Sequence, residues 1–580
     1  MPSFALERLD FLTPGASDDL RDALRDASLL IQARRDRTEA AQDLFAAARA
    51  DYGRLLGVLY SEGHYSAVIN IRLDSREAAD IAPLDAPTRI EAITVTVEPG
   101  PRFVFSRAAI APLAPETELP EDYAAGQVAR SGAIVDAAAA GVEGWRQAGH
   151  AKAAVGGQKI TADHRATSLS ADIALSPGPR VRFGEMTITG QERMRTRAIE
   201  RIAGFPTGEV FDPDDLDLVT KRLRRTGVFR SASLTEAETL GPGDTLDVAL
   251  VVAEEKRRRL GFGAEIGSFE GLTVSGYWLH RNLLGGGERL RVEGEVGGIG
   301  GESGGEDYRL GVRIDRPATF GPDTSAFTEA EVVKLTEEDF SAEALSFSFG
   351  VTRIFNERLT AELGVGFLFA RVEDDAGSID YRAMTLPTSL TWEGRDNALD
   401  PTRGLYVNAE LTPFLGFSGT GTGARLWTDA RGYLGFGADD RFVAAGRLQF
   451  GTVLGASIED TPRDYLFYSG GAGTVRGQPY QSLGVNVLGG GTVRSGGRSF
   501  LGLSGELRAD VTKNIGVVAF YDTGFVSAGE LFGSGDWHAG AGLGLRYNTG
   551  IGPIRVDVAT PVSGDTGDGV QLYIGIGQAF

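Results

Sequence analysis

There is no cysteine among the 580 residues, which excludes a disulfide framework, a thiolate metal site and a cysteine nucleophile. Histidine is nearly as scarce. His64, His150, His164, His280 and His538 show none of the short spacings of a metal-binding pair. Neither a G-x-S-x-G elbow nor a G-x-x-x-x-G-K-S/T phosphate loop occurs, so the expectation is a protein without enzymatic activity, metal or cofactor. Positive charge is in deficit as well: 58 Lys and Arg against 79 Asp and Glu, a net charge of −21. A surface of that sign repels phosphates, and no nucleic-acid partner is expected. No apolar run reaches the roughly 18 to 20 residues that a membrane-crossing helix needs. The opening Met1-Pro-Ser-Phe-Ala-Leu-Glu-Arg8 also lacks the basic and apolar regions of a signal peptide, so an exported form is expected to have shed its leader.

Glycine, by contrast, is abundant at 80 residues, without a G-X-Y period and beside many aromatics, which suits bent and twisted β-structure. The chain changes grammar near residue 257. Before it, helix and strand signals alternate with a period of about 80 residues. Glu98-Pro-Gly-Pro-Arg-Phe recurs as Ser176-Pro-Gly-Pro-Arg-Val. Apolar positions at helical spacing lead to Gly63, Gly149 and Gly227, each followed by a strand pattern. Ser17 and Asp212 stand where helices would start. Each unit reads strand, helix, helix, strand, strand, with one helix poorly marked in the second unit. The expected boundaries are 1–101, 102–179 and 180–257.

From 258 to 580 the text is strands and glycine-rich turns. Segments of roughly ten residues alternate apolar with small or polar positions, as a lipid-facing and lumen-facing strand must. Examples are Arg289-Leu-Arg-Val-Glu-Gly-Glu-Val and Ala344-Leu-Ser-Phe-Ser-Phe-Gly-Val. About sixteen such segments predict a closed transmembrane antiparallel β-barrel, because an open edge in lipid would leave backbone groups unpaired. At the C-terminus Val570, Leu572, Ile574, Ile576 and Phe580 are expected on one apolar face, with Gln578 the exception. Trp278, Trp392, Trp427 and Trp537 read as interfacial girdle residues. Lys256-Arg-Arg-Arg259 could meet lipid head groups at the periplasmic surface.

Five motifs occur in order: Arg281-Asn-Leu-Leu-Gly-Gly-Gly-Glu288, Arg395-Asp-Asn-Ala-Leu-Asp-Pro-Thr-Arg-Gly404, Gly473-Thr-Val-Arg-Gly477, Phe520-Tyr-Asp-Thr-Gly524 and Gly552-Pro-Ile-Arg-Val-Asp557. With the terminal aromatic strand they resemble the superfamily of outer-membrane insertase barrels that carry POTRA repeats, small periplasmic modules of β-α-α-β-β pattern. The fold class expected is therefore α/β POTRA repeats followed by the barrel, with the V-R-G loop folded into its lumen. One departure is that Gln478 follows V-R-G, where the family commonly has an aromatic, and Tyr480 is the nearest one.

An arginine buried in that lumen needs a carboxylate. Alternate residues Phe520, Asp522 and Gly524 point one way, with Gly524 leaving room for the loop backbone. The predicted lock is therefore Arg476 and Gly477 with Asp522, surrounded by Phe520, Glu506 and Arg508. A second candidate site is the closing seam, with Gly261, Gly263 and Gly267 on the first strand and Gly575, Gly577 and Phe580 at the last. Glycines there would weaken packing and let the seam present strand edges. The resemblance implies a place in the outer membrane with the repeats in the periplasm. It also implies assembly of autotransporter-type barrel clients, contact with outer-membrane lipids, and a periplasm-spanning partner anchored in the inner membrane. The alternative from another class is a two-partner-type secretion pore for an unfolded exoprotein, whose relatives usually carry two repeats.

Overall fold

In the computed structural model, which describes residues 6–38, 40–302, 304–375, 377–488, 491, 493–550 and 552–580, three small sheets precede a barrel. The first sheet has β1 (Arg8–Leu12), β2 (Val68–Leu73), β3 (Arg76–Glu77) and β4 (Ala92–Glu98), in the order β1-β4-β2-β3. Helices α1 (Asp18–Ala27), α2 (Leu29–Arg35) and α3 (Ala41–Ser61) lie between β1 and β2 in the chain. The second sheet, β5 (Val104–Ala111), β6 (Ala154–Asp163) and β7 (Ser168–Ser176), is ordered β5-β7-β6 and carries α4 (Ser131–Gln147). The third has β8 (Arg182–Thr189), α5 (Thr196–Ala203), α6 (Pro213–Arg225), β9 (Phe229–Glu236) and β10 (Thr245–Glu254), ordered β8-β10-β9.

Helix number departs from two per unit in the first two. Ser28 leaves helical conformation and splits α1 from α2, its hydroxyl accepting from the Ile31 amide at 3.2 Å. The same hydroxyl donates to buried Asp51, which also takes the Leu29 amide at 2.7 Å and so caps α2 from α3. In the second unit Pro112, Pro115 and Pro120 crowd the stretch where a further helix would start, and only turns form there. On α4, a Cβ on Gly141 would lie 2.7 Å from Leu175 Cδ1, so glycine sets the close approach of helix to sheet.

The repeated Pro-Gly-Pro and helix-Gly motifs prove to be two halves of one joint. The Phe103 amide donates to Gly63 O at 2.8 Å, and the Val181 amide to Gly149 O at 2.9 Å. His64 Nδ1 meets Gly100 O at 3.0 Å, and His150 Nδ1 meets Gly178 O at 2.9 Å. Gly63 and Gly149 hold φ of +84° and +97°, which a side chain would strain. Two of the five histidines are thus joint pieces.

The barrel strands are β11 (Arg258–Gly267), β12 (Gly271–Arg281), β13 (Arg289–Ile299), β14 (Asp307–Arg316), β15 (Thr324–Thr336), β16 (Phe340–Ile354), β17 (Leu359–Asp374), β18 (Gly377–Thr385), β19 (Thr388–Glu393), β20 (Gly404–Phe417), β21 (Gly423–Phe436) and β22 (Phe442–Leu454). A long loop with the small hairpin β23 (Val485–Leu488) and β24 (Val493–Ser495) follows. Then come β25 (Ser499–Asp510), β26 (Ile515–Ser527), β27 (Gly535–Tyr547), β28 (Ile554–Ser563) and β29 (Gln571–Ile576). β18 and β19 both pair with β17 and β20, so they are one strand interrupted at Leu386-Pro387, and the closed antiparallel wall has 16 strands. Proline cannot donate to the ladder, which explains the interruption.

Period-two alternation sorts the wall. Leu345, Phe347, Phe349, Leu363, Phe367, Phe369, Leu411, Leu415, Leu503, Leu507, Leu543 and Leu545 are all exposed on its outside. At about 25 cal/mol per Å² of apolar surface, that band is stable against lipid and costly against water. Trp427 departs from the girdle expectation: it faces inward and stacks on Phe467 of the loop and Phe500, at centroid distances of 5.7 and 5.8 Å.

By contacts the chain forms two compact units. One comprises the stretches up to Thr187, Pro206–Asp217 and Thr235–Ala249. The other comprises Ile188–Phe205, Leu218–Leu234 and Leu250–Phe580. Within the second, Arg222 donates to Asp323 at 3.2 Å and Arg225 to the Pro322 carbonyl at 2.8 Å, in the turn before β15.

Candidate functional site

The loop between β22 and β25 turns into the lumen. At its tip Gly477 has φ +93°, and a Cβ there would lie 2.7 Å from Thr560 O. Opposite it, a Cβ on Gly540 would lie 1.9 Å from Arg476 O. Only glycine on both chains lets the tip lie flat against the wall.

The structure brings Arg476 and Asp522 together. Arg476 Nε donates to Asp522 Oδ2 at 2.7 Å, Nη2 to Oδ1 at 3.0 Å, and the Arg476 amide to Oδ2 at 3.1 Å. Its Nη1 donates to Glu506 at 2.7 Å, and the guanidinium lies 3.6 Å from the Phe520 ring centroid. Gly524 makes room for Ser469 and Val475 of the loop, with its absent Cβ 2.1 Å from Ser469 Oγ. Arg508 donates to Glu506 at 2.9 Å and to the Phe580 carbonyl at 3.0 Å.

Sequence reasoning passed over four further participants. Asp557 of β28 accepts from Arg476 Nη1 at 3.4 Å and from Arg546 of β27. Three guanidinia (Arg476, Arg508, Arg546) therefore meet three carboxylates (Glu506, Asp522, Asp557), all buried, so the cluster carries no excess charge into the lumen. The alternation in Gly552-Pro-Ile-Arg-Val-Asp557 puts Arg555 and Asp557 on one face, and that signal could have found Asp557. The other two are Ser469 and His538: Ser469 Oγ lies 2.7 Å from His538 Nε2, whose Nδ1 meets Thr566 Oγ1 at 2.7 Å. Both are fully buried, and the pair ties the loop to β27.

Gln478 fills the place where an aromatic was expected. It is fully buried, and its amide donates to Ala539 O at 2.8 Å and Ser563 O at 3.0 Å while accepting from Thr566. Tyr480 and Gln481 instead reach Glu337, in the turn between β15 and β16, at 3.3 and 3.0 Å. Burial, then the nearby Asp307, pushes the Glu337 carboxyl up to about 7. Arg463 further ties the loop to Asp374 at the end of β17, at 3.0 Å.

At the seam, β16 and β17 supply a reference: they pair from Phe340 opposite Asp374 to Ile354 opposite Thr360. β11 and β29 pair only at Ile266 opposite Ile574 and Gly267 opposite Tyr573. Beyond them, the Ser268 amide donates to Leu572 O at 3.0 Å, and Arg555 reaches across Gly575 to Glu265. Of the seam glycines, Gly267 alone lies in the cross-seam register. Gly261 and Gly263 lie opposite Tyr277 and Ser275 of β12, where a Cβ would strike those side chains. Gly575 lies opposite Arg555.

The C-terminus corrects one expectation. Phe580 does not share the lipid face of Leu572 and Ile576. Gly577, with φ +93°, turns the chain after β29, and Gln578 is held by Arg546 at 2.8 Å and Asp400 at 2.9 Å. Phe580 is therefore buried against Tyr433, Val443 and Ala445. Among the described residues no group of His, Asp and Glu side chains converges on a point that could hold a metal ion. Arg257, Arg258 and Arg259 are exposed, and β11 already begins at Arg258.

A family model described as the Omp85 superfamily domain matches residues 282–580, and one described as a surface antigen variable number repeat (POTRA) matches 181–255. Among solved structures, BamA from Haemophilus ducreyi lacking POTRA domains 1–3 aligns with a TM-score of 0.64 at 17% identity, over 82% of this chain and all of that one. CdiB from Acinetobacter baumannii aligns with a TM-score of 0.52 at 11% identity, over 82% of this chain and 90% of that one. CdiB from Escherichia coli aligns with a TM-score of 0.50 at 13% identity, over 82% and 91%.

Proposed function

Since the chain belongs to the Omp85 superfamily, with its barrel in the outer membrane and POTRA repeats in the periplasm, we propose that it is an assembly factor that inserts other β-barrel proteins into that membrane. The observation that carries this reading is the seam. In the strand register only two residue pairs join β11 to β29, backed by the Ser268 bonds to Leu572 and the Arg555–Glu265 pair, and the stretch of β11 below Glu265 has no cross-seam partner in that register. Unpaired N–H and C=O groups at an edge are a template on which an incoming strand can add. Clients of the autotransporter type are what the family resemblance implies.

Three repeats on a sixteen-strand barrel most resemble TamA within the superfamily, and that resemblance supplies the proposed partner, a TamB-like protein anchored in the inner membrane and spanning the periplasm. Outer-membrane lipids form the remaining surroundings, and Arg257–Arg259 stand ready for their head groups. The function needs no cofactor, metal or catalytic residue.

The second reading, a two-partner-type secretion pore, draws support from the fold likeness to the CdiB proteins. Against it stands the loop, which occupies the lumen and is tied both to β26 through Asp522 and to the β15–β16 turn through Glu337. Photocrosslinking from Phe262 of β11 and Ile576 of β29, in cells expressing an autotransporter, tests the choice. Crosslinks to the client's nascent barrel are expected. Crosslinks from lumen positions alone, to an extended passenger, would replace the insertase with the pore.

A further inference from the structure

The loop makes contacts across the seam that its lock does not require. Inside the barrel its backbone crosses the seam. The Gly477 amide donates to Tyr573 Oη of β29 at 3.1 Å. Five residues earlier, the Ala472 amide donates to Glu270 Oε1 at 3.0 Å, in the turn between β11 and β12. The loop thus grips both sides of the seam where the backbone ladder is shortest.

The two grips are unequal. Toward the last strands the loop is fixed by Arg476, Gln478 and Ser469, all buried. Toward β11–β13, the bond to Glu270 is the loop's single hydrogen bond among the described residues. The local sequence accommodates this one hook: Gly471 has φ +89°, and a Cβ on it would lie 2.7 Å from Glu270 Oε1. Glu270 Oε2 is buried without a partner, so the carboxylate is held by one end. Beside it lies a cavity of about 250 Å³ lined by Glu270, Ala472, Gly473, Tyr480 and Tyr573, space into which the turn or the loop can move.

We propose that Glu270 is a positioning residue for seam opening: the loop is a strap rooted in the last strands and hooked to the first hairpin through Glu270, whose release makes separation of β11 from β29 more frequent. This rests on the reading of the seam as the place where client strands enter. It makes the strap a further fastening, in parallel with the two backbone pairs, the Ser268 bonds to Leu572 and Gln571, and the Arg555–Glu265 clasp.

Hydrogen exchange of the full chain in lipid nanodiscs tests it. Because an opening that loses one hydrogen bond becomes more frequent, Glu270→Ala should speed amide exchange in peptides covering Ile266–Ser268 and Leu572–Ile574 by roughly three- to tenfold. Peptides around Val332 and Leu345, on the far wall, should keep wild-type rates. Glu270→Gln retains an acceptor oxygen and should restore wild-type exchange at the seam. Unchanged seam exchange in Glu270→Ala, or equal acceleration on the far wall, would overturn the strap. A disulfide between Ile266→Cys and Ile574→Cys, in a chain with no native cysteine, examines the underlying reading separately. If client assembly continues with that seam locked, the insertase reading fails, whatever Glu270 does to exchange.

Discussion

The two sides of the barrel are held by different physics. On the C-terminal side, β25 to β28 converge on Arg476 in an ion network whose side chains are almost dry, 3% exposed for Arg476 and 1% for Asp522. On the N-terminal side, the ion pairs of β13 to β15 stand half open, with 48% and 32% exposure for Arg309 and Glu331. A dry, balanced cluster is costly to disturb because any one loss strands its partners, whereas wet pairs exchange with water at little cost. A stiff wall and a compliant wall meet at the seam, and the compliant one carries the free edge of β11. The proposed insertion of client strands at the seam would use that asymmetry.

The strongest way to break the comparison is charge reversal at its centre. Arg476→Glu would leave four carboxylates together with two guanidinia, and about 3–5 kcal/mol of barrel stability should be lost. Denaturant unfolding of the purified barrel, followed by heat-modifiable gel mobility, reads this; an unchanged midpoint would dissolve the distinction between the walls. Next in size, Gly540→Ala drives a methyl into the Arg476 carbonyl and should cost about 1–3 kcal/mol. Gly505→Ala, with nothing within 4 Å, is the matched control and should be near neutral in the same assay. On the compliant side, Arg313→Ala removes contacts to Asp315, Glu329 and Glu362 at 2.9, 3.1 and 2.7 Å. Because those groups are partly wet, its cost should stay near 1 kcal/mol, and a cost matching that of Arg476 would erase the contrast.

The most local effect is one of pH. Glu337 is half-buried at the loop's far arm with its carboxyl pushed up to about 7. A carboxyl raised on folding contributes its full stability below its ordinary value of 4.5, and loses it as pH rises toward and through 7. The arm at Tyr480 and Gln481 should therefore loosen between pH 5 and 8, seen as faster amide exchange after correction for intrinsic rates. Glu337→Gln should show a flat profile; the same pH dependence in that variant would assign it to another group.

Much of this molecule is written in short-range pattern. Alternation in Ala344–Val351 or Gln571–Ile576 states which residues meet lipid, because successive strand side chains point to opposite faces whatever the partner strand is. The Pro-Gly-Pro and helix-Gly repeats announced recurring units, and the need of a buried guanidinium for a carboxylate singled out Asp522 opposite Arg476. Where the reading stopped, local pattern was absent or overruled. Three prolines before α4 removed a helix that the repeat alone suggested, and Ser28 added one to the first unit by splitting α1 from α2. The left-handed turn at Gly577 sent Phe580 inward although its spacing placed it outward.

By itself, then, the sequence determined a row of α/β units before a closed lipid-facing barrel, with one arginine that had to find an acid, since periodicity and charge burial act within a few residues. Tertiary structure alone decided that Asp557 of a third strand joins Asp522 and Glu506 on that arginine. It alone decided that Gly261 and Gly263 fall outside the two-pair seam, that His64 and His150 serve as joints, and that Glu270 lies under the loop. Those outcomes depend on strand register and barrel closure, which bring together residues hundreds of positions apart, and no local pattern carries that information.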